Sequence, residues 1–176
     1  MADPTGITDE EILKRFSVAV HEMLADEDLA KAMPQEFTIT PDLAMKLQPV
    51  FPEWRVSAEW TSREDKHKRI AWNDEDGKLR SRLIRPDIIV HKAHTEINIL
   101  VVEAKKATSK QKLDGDIEKL KLMTMQESSH PDYHYGYRIG VHLIVDLSEQ
   151  RITANDVYGN GALDPELTEL LSALLS

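Results

Sequence analysis

The chain has 176 residues, with 22 Lys and Arg against 31 Asp and Glu and a formal net charge of −9 at pH 7. This length predicts a single domain that buries a sizeable core, and the absence of cysteine excludes disulfides and thiolate metal sites. No apolar stretch approaches the roughly 18–20 residues of a membrane span and the N-terminus lacks a secretory signal pattern, so we expect a cytoplasmic protein without a membrane partner.

The first part of the chain, residues 8–48, is predicted to be a helical segment. Thr8-Asp9-Glu10-Glu11 has the spacing of a capping box, and apolar residues then recur three and four positions apart from Ile12 to Leu24. A second, short helix is predicted from Pro41 to Leu47, with Thr40 as its N-cap.

The middle of the chain is predicted to form three strands. Residues 54–60 alternate as a strand does, and 73–77 read as a turn. Two apolar runs follow, 85–90 and 99–105, and a short polar stretch between them indicates a hairpin. The remaining elements are a helix over 111–127, a strand over 137–146 and a closing helix over 165–175, so the pattern predicts an α/β fold.

The two hairpin strands carry charge where buried strands normally do not. If the hairpin turns about Thr95, Asp87 and Glu103 are directly opposed, and opposed residues project to the same face with Cβ atoms roughly 4.5–5.5 Å apart. Lys105 lies two residues beyond Glu103 and therefore shares that face. The sequence thus predicts two carboxylates and one ammonium group close together on an apolar sheet.

Two carboxylates this close need a shared proton or a cation between them. Mg²⁺ takes oxygen ligands at roughly 2.0–2.1 Å and keeps several waters, so one or two protein carboxylates suffice to bind it. A neighbouring lysine can orient water and offset the charge that builds up on a phosphorus centre. This combination of groups is suited to hydrolysis of a phosphodiester.

These residues resemble the signature of the PD-(D/E)XK nuclease superfamily, namely Pro86-Asp87 followed after a hairpin by Glu103-Ala104-Lys105. The similarity to its small stand-alone bacterial members covers residues 54–146 and includes the segment from Asp116 to Leu120. It implies a restriction endonuclease-like α-β-β-β-α-β core with a four-stranded mixed sheet flanked by helices. The strand context supports the match, because this Pro-Asp pair lies in a predicted strand and Glu103-Ala104-Lys105 ends a second strand at hairpin distance.

The resemblance also implies roles for single residues. Asp87 and Glu103 would ligate Mg²⁺, or Mn²⁺ in its place, with the Ala104 backbone carbonyl as a third ligand, and Lys105 would act on the attacking water. Members of the superfamily often supply a further acid from the first helix or first strand. Either Glu22 or Glu59 fits that description, and Glu59 is favoured because a strand beside the hairpin delivers it to the sheet.

The expected partner is nucleic acid, most simply DNA, with RNA as an open alternative and a homodimer as one possible assembly. Although the chain is acidic, residues 62–112 hold 13 Lys and Arg against 8 Asp and Glu. A local basic surface beside the site is what phosphate contact needs. The candidate contacts are Lys66, Lys68, Arg69, Arg85, Lys106 and Lys110.

Two other interpretations of the sequence stay open. One is a nuclease-fold module that binds nucleic acid or a partner protein without cleaving it. The other is a structural protein in which Asp87, Glu103 and Lys105 form a buried ion triad, an arrangement that contributes little to stability compared with apolar residues.

Overall fold

The computed structural model describes residues 5–32, 36–58, 62–63, 66–67, 69–108, 114–127 and 134–176. In this part of the chain, a central sheet has α-helices packed on one face and one helix on the other. The helices are α1 (Asp9–Leu24), α2 (Glu27–Ala32), α3 (Glu36–Val50), α4 (Asp114–Thr124) and α5 (Pro165–Leu174). The strands are β1 (Arg55–Ala58), β2 (Ser62–Arg63), β3 (Lys66–His67), β4 (Arg69–Asn73), β5 (Leu79–Leu83), β6 (Ile88–His91), β7 (Asn98–Lys106), β8 (Ile139–Asp146), β9 (Arg151–Gly159) and β10 (Ala162–Leu163).

Within the described residues the central sheet has six strands in the order β1-β6-β7-β8-β9-β10. Every neighbouring pair is antiparallel except β7 and β8, which are parallel. Parallel neighbours need a crossover connection, and α4 lies in the segment that links these two strands. The crossover therefore carries α4 back over one face of the sheet.

The two faces of the sheet bury different sets of side chains. Leu100, Val102 and Ala104 of β7 belong to the larger core, which also takes the apolar stripes of α1 and α3. Val101 on the opposite face packs in a smaller cluster with Leu120 and Met123 of α4. Side chains of β7 alternate between these two cores because successive residues of a strand point to opposite faces.

The predicted N-terminal cap is confirmed. Thr8 is the N-cap of α1, and its hydroxyl accepts a hydrogen bond from the Glu11 backbone N–H at 3.2 Å. Eight residues on one side of the helix are buried, as the spacing predicts. Local sequence is sufficient here because the cap and the apolar stripe act within one element.

The predicted start of the second helix is wrong. The helix α3 begins at Glu36, so Pro41 lies inside it and Thr40 is a helical residue rather than an N-cap. Proline inside a helix removes a backbone donor and is normally unfavourable. Here Ile39, Leu43 and Leu47 are all completely buried on one side, and this packing keeps the helix continuous through the proline.

The predicted sheet is too small. The strand elements 54–60, 85–90, 99–105 and 137–146 correspond to β1, β6, β7 and β8, but β9 and β10 extend the sheet from four strands to six. Residues 59–61 and 109–113, at the ends of two predicted elements, lie outside the described residues. The strand β9 is long and half exposed, and its pairing with β8 is a tertiary contact. The coarser prediction, a mixed α/β fold, is confirmed.

The described helices are all too short or too polar to cross a lipid bilayer.

Candidate functional site

The β6–β7 hairpin positions Asp87 across from Glu103. Its register pairs Ile88 with Val102, so Asp87, one residue before β6, lies opposite Glu103. The Asp87 Oδ2 atom accepts a hydrogen bond from the Ala104 backbone N–H at 2.9 Å. The predicted opposition of the two acids is therefore confirmed.

The turn of this hairpin is less regular than a symmetric turn about Thr95. The register shifts between Val90 and His91, so that His91 pairs with Asn98 and the pairing skips Ile99. His94 in the turn has a φ of 60°, a left-handed conformation that is uncommon for a residue other than glycine. The bulge lies at the far end of the hairpin from Asp87 and leaves the register beside the acids unchanged.

Glu103 and Lys105 share the face of β7 that α4 covers. Their positions alternate with Val102 and Ala104, which point into the larger core. Both charged residues are buried, Glu103 at 2% and Lys105 at 7% relative exposure. Charges withdrawn from water to this degree need oppositely charged or hydrogen-bonding partners.

The partners come from α4. The Lys119 Nζ atom lies 2.6 Å from Glu103 Oε2, and Lys105 Nζ lies 2.9 Å from Asp116 Oδ2. Asp116 Oδ1 is also 3.6 Å from Lys119 Nζ, so Asp116 contacts both lysines. Residues three apart on a helix lie on the same side, and this spacing lets α4 present Asp116 and Lys119 together to the sheet.

The surroundings raise the pKa values of both predicted metal ligands. The pKa of Glu103 is raised from 4.5 to about 8, first by burial and then by the nearby charge of Asp87, while Lys119 opposes the rise. Burial also raises the pKa of Asp87, and the hydrogen bond from Ala104 opposes this rise. The two carboxyls therefore hold protons more strongly than they would in water, as closely spaced acids in a poorly solvated place do.

His142 of β8 lies beside Glu103 in the parallel pairing of β7 and β8. It is 1% exposed, and neither ring nitrogen has a hydrogen-bond partner among the described residues. Burial lowers the pKa of His142, while the charge of Asp116 acts in the opposite direction. The face that carries Glu103 and Lys105 thus also carries a buried imidazole whose pKa is lowered.

The two candidate auxiliary acids are Glu22 and Glu59. Glu22 is exposed on α1, and α1 packs with α3 and α5 on the face of the sheet opposite α4. Glu22 thus lies away from the face that carries Glu103, and its role as a metal ligand stays a prediction. Glu59, the favoured acid, lies outside the described residues and stays a prediction.

The candidate nucleic-acid contacts are spread over several elements. Arg85 is exposed and lies two residues before Asp87. Arg69 of β4 donates a side-chain hydrogen bond to Ser81 Oγ at 3.0 Å. Lys106 follows Lys105, so it projects from the other face of β7. Lys66 lies in β3, and Lys68 and Lys110 lie outside the described residues.

Glu103 offers a free oxygen for a cation. Its Oε1 atom is buried and has no hydrogen-bond partner in the described part of the chain, although Oε2 is held by Lys119. No group of three or more Asp, Glu and His side chains among the described residues is placed to hold a metal ion. A magnesium site with one or two carboxylates and several waters does not require such a group. The donor set of Asp87 and Glu103 therefore fits Mg²⁺ or Mn²⁺.

Three residues of this site were not among the predicted ones. Asp116 and Lys119 lie in the segment that shares the resemblance, but in the sequence they have the appearance of a surface ion pair, and their i, i+3 spacing gives no sign of the buried partners on β7. His142 stands within the apolar run from Val141 to Val145. A lone histidine in a predicted buried strand is a signal that could have singled it out.

Neither a scan against models of protein families nor a search of the curated proteins finds a match for this chain.

Proposed function

We propose that the protein is a divalent-cation-dependent nuclease that hydrolyses phosphodiester bonds in DNA. One observation carries the proposal: Asp87, Glu103 and Lys105 come together on one buried face, where the two acids already show raised pKa values. Perturbed titratable groups gathered in this way are more common at functional sites than elsewhere, although structural ion networks also produce them.

We also infer that the sheet contains a restriction endonuclease-like core. The strands β1, β6, β7 and β8 are adjacent and mixed in direction, with α4 between the last two in sequence. This agrees with the β-β-β-α-β part of the arrangement that the resemblance implies, and β9 and β10 would then be additions at one edge.

In this proposal Asp87 and Glu103 hold the cation, with the Ala104 carbonyl as a third ligand. When bound, Mg²⁺ or Mn²⁺ polarises the phosphoryl group and makes water more acidic. The acids themselves fix its place: Asp87 is tied to β7 through the Ala104 N–H, and Glu103 is held through Oε2. Only deprotonated carboxylates bind the cation, so binding displaces protons from this pair.

Lys105 would stabilise the negative charge that develops on the phosphoryl oxygens and orient the attacking water. Its Nζ lies against Asp116, which fixes the ammonium group in place before a substrate arrives. Charge stabilisation by a pre-positioned group in a water-poor site is among the largest contributions to catalysis. Loss of Lys105 should therefore abolish cleavage rather than weaken substrate binding alone.

The test is cleavage of plasmid, linear, single-stranded and branched DNA with Mg²⁺ or Mn²⁺. Wild type should cleave at least one substrate and stop when EDTA is added. We expect Lys105→Ala to lose at least about a hundredfold in rate, whereas Lys92→Ala, an exposed lysine in the turn of the same hairpin, should cleave as wild type does. Cleavage by Lys105→Ala at the wild-type rate would refute the assignment of Lys105.

A non-catalytic nuclease-fold module is the second candidate. Glu103 and Lys105 each already contact an oppositely charged group on α4, as buried structural charges do. Such a module would bind DNA equally well with and without Mg²⁺ and would cleave nothing in the same panel.

The remaining proposals concern the partners of the protein and its location in the cell. Arg85 and Arg69 would contact DNA phosphates. A cytoplasmic location would give the protein access to DNA, and a homodimer would allow both strands to be cut.

A further inference from the structure

Five charged residues form a cluster between β7 and α4, namely Asp87, Glu103, Lys105, Asp116 and Lys119. Lys119 makes the shortest contact within this cluster. Its ammonium group lies 2.6 Å from Glu103 Oε2, and the side chains are 14% and 2% exposed. It also donates a hydrogen bond to the Arg85 carbonyl at 3.4 Å, and Asp116 Oδ1 lies 3.6 Å away. Glu103 is thus the principal partner of Lys119. The Arg85 carbonyl oxygen and Asp116 Oδ1 lie slightly further from the same ammonium group.

The charges of the cluster do not balance. Three carboxyl groups (Asp87, Glu103 and Asp116) are grouped with two ammonium groups (Lys105 and Lys119), so the cluster has a net negative charge unless one carboxyl carries a proton or a cation is bound. The charges of Asp87, Lys119 and Asp116 all act on Glu103. Lys119 is the cation on Glu103, while Lys105 is occupied by Asp116. Any divalent cation that binds Glu103 must therefore approach a carboxylate that already has a positive partner.

We propose that Lys119 is the resident counter-cation of Glu103, and that a divalent cation binds by taking over this charge from Lys119. The proposal rests on the proposed metal site at Asp87 and Glu103. Lys119 then limits how tightly the cation binds and retains Asp116 and the Arg85 carbonyl as partners when its hold on Glu103 weakens.

Two physical effects determine the direction of the result. In the cation-loaded protein, the divalent cation places positive charge beside the Lys119 ammonium group, which repels it. Removal of Lys119 relieves the loaded state of this repulsion, whereas the cation-free state only loses the contact between Lys119 and Glu103. Removal of Lys119 therefore favours the loaded state over the cation-free state, and cation affinity increases.

The test is titration calorimetry with Mn²⁺ on wild type and Lys119→Met, which has a similar length and no charge. We expect Lys119→Met to bind Mn²⁺ about tenfold more tightly or better. Lys121→Met is the matched control, since Lys121 is an exposed lysine of the same helix, and it should bind as wild type does. Lys119→Gln, which keeps a hydrogen-bond donor without charge, should behave as Lys119→Met.

Thermal unfolding with EDTA and with Mn²⁺ accompanies the titration. Lys119→Met should be less stable than wild type in EDTA and should gain more from Mn²⁺ than wild type gains. If Lys119→Met does not fold in EDTA, Mn²⁺ should restore folding, and failure to do so would overturn the proposal.

Other outcomes are also decisive. Equal or weaker Mn²⁺ binding by folded Lys119→Met would overturn the counter-cation role, and weaker binding would show that Lys119 orients Glu103 toward the cation instead. Wild-type binding by Lys119→Gln would show that a hydrogen bond, not charge, matters. Absence of Mn²⁺ binding by wild type would refute the metal site itself, which is a failure of the proposed function.

Discussion

The pKa of Glu103 is determined by its surroundings more than by its residue type. A glutamate in water is ionised at neutral pH, but here burial against α4 and the neighbouring Asp87 raise its pKa to about 8. Lys119, which opposes that rise, comes from a helix sixteen residues further along the chain. The behaviour of this single carboxyl is thus decided by three elements that meet at one point.

This shift predicts how stability depends on pH. Between pH 4.5 and about 8 the folded protein keeps a proton on Glu103 that the unfolded chain has released. The folded state binds more protons in this window, so the free energy of unfolding should fall as pH rises through it. Glu103→Gln cannot titrate and should show a weaker fall, measured by thermal melts in EDTA across the window.

Glu22→Gln is the control for that experiment, because Glu22 is exposed on the other side of the sheet. It should keep the wild-type dependence of stability on pH. An equal fall for Glu103→Gln and wild type would contradict the raised pKa.

At the scale of elements, α4 is the helix on which the site depends. It packs against β8 through Gly140, where a Cβ atom would lie 3.0 Å from Thr124 Cγ2 and 3.2 Å from Leu120 Cδ2. Glycine thus permits a close approach of helix and strand. The same helix carries Asp116 and Lys119, so its distance from the sheet sets their contacts with β7.

Gly140→Ala should therefore destabilise the protein by about 1–3 kcal/mol, because the added methyl group pushes α4 outward. Cleavage should fall as well if the nuclease proposal holds. Gly115→Ala, in the first turn of the same helix, is the matched control, since nothing lies within 4 Å of its Cβ position. It should be neutral or stabilising by up to about 1 kcal/mol. Chemical denaturation measures the free energy of unfolding of both variants. A wild-type free energy of unfolding for Gly140→Ala would argue against close packing of α4 on β8.

At the scale of the whole molecule, charge is distributed unevenly along the chain. The net charge is −9, yet residues 62–112, which hold the motif, carry more Lys and Arg than Asp and Glu. If DNA binds beside Asp87, phosphate contacts there should release counterions, and affinity should fall steeply with salt. The overall negative charge would slow the encounter without preventing the local contact.

Arg85→Gln should weaken DNA binding uniformly across sequences and reduce the salt slope by about 1. Arg151→Gln is the control: Arg151 is exposed on β9 and lies 3.7 Å from Asp146. Fluorescence anisotropy at several salt concentrations, in Ca²⁺ to limit cleavage, measures both. If the salt dependence of DNA affinity has the same slope for Arg85→Gln and wild type, Arg85 does not contact a DNA phosphate.

Much of the fold follows from local sequence. The cap at Thr8, the apolar stripe of α1 and the paired strands β6 and β7 are each specified by residues close together in the chain. The hairpin register could be predicted because both strands are apolar and joined by a short turn. The start of α3 could not, since packing of Ile39, Leu43 and Leu47 outweighs the local effect of Pro41.

Part of the candidate site likewise follows from local sequence, and the other part depends on tertiary contacts. The sequence by itself determined that Asp87, Glu103 and Lys105 share a face, because strand alternation and hairpin pairing are local and periodic. Only the tertiary structure decided that Asp116 and Lys119 neutralise that face, that His142 lies beside Glu103, and that Glu22 is on the other side. The reason is physical: the crossover through α4 brings distant residues together, and the burial that results sets their charges and pKa values.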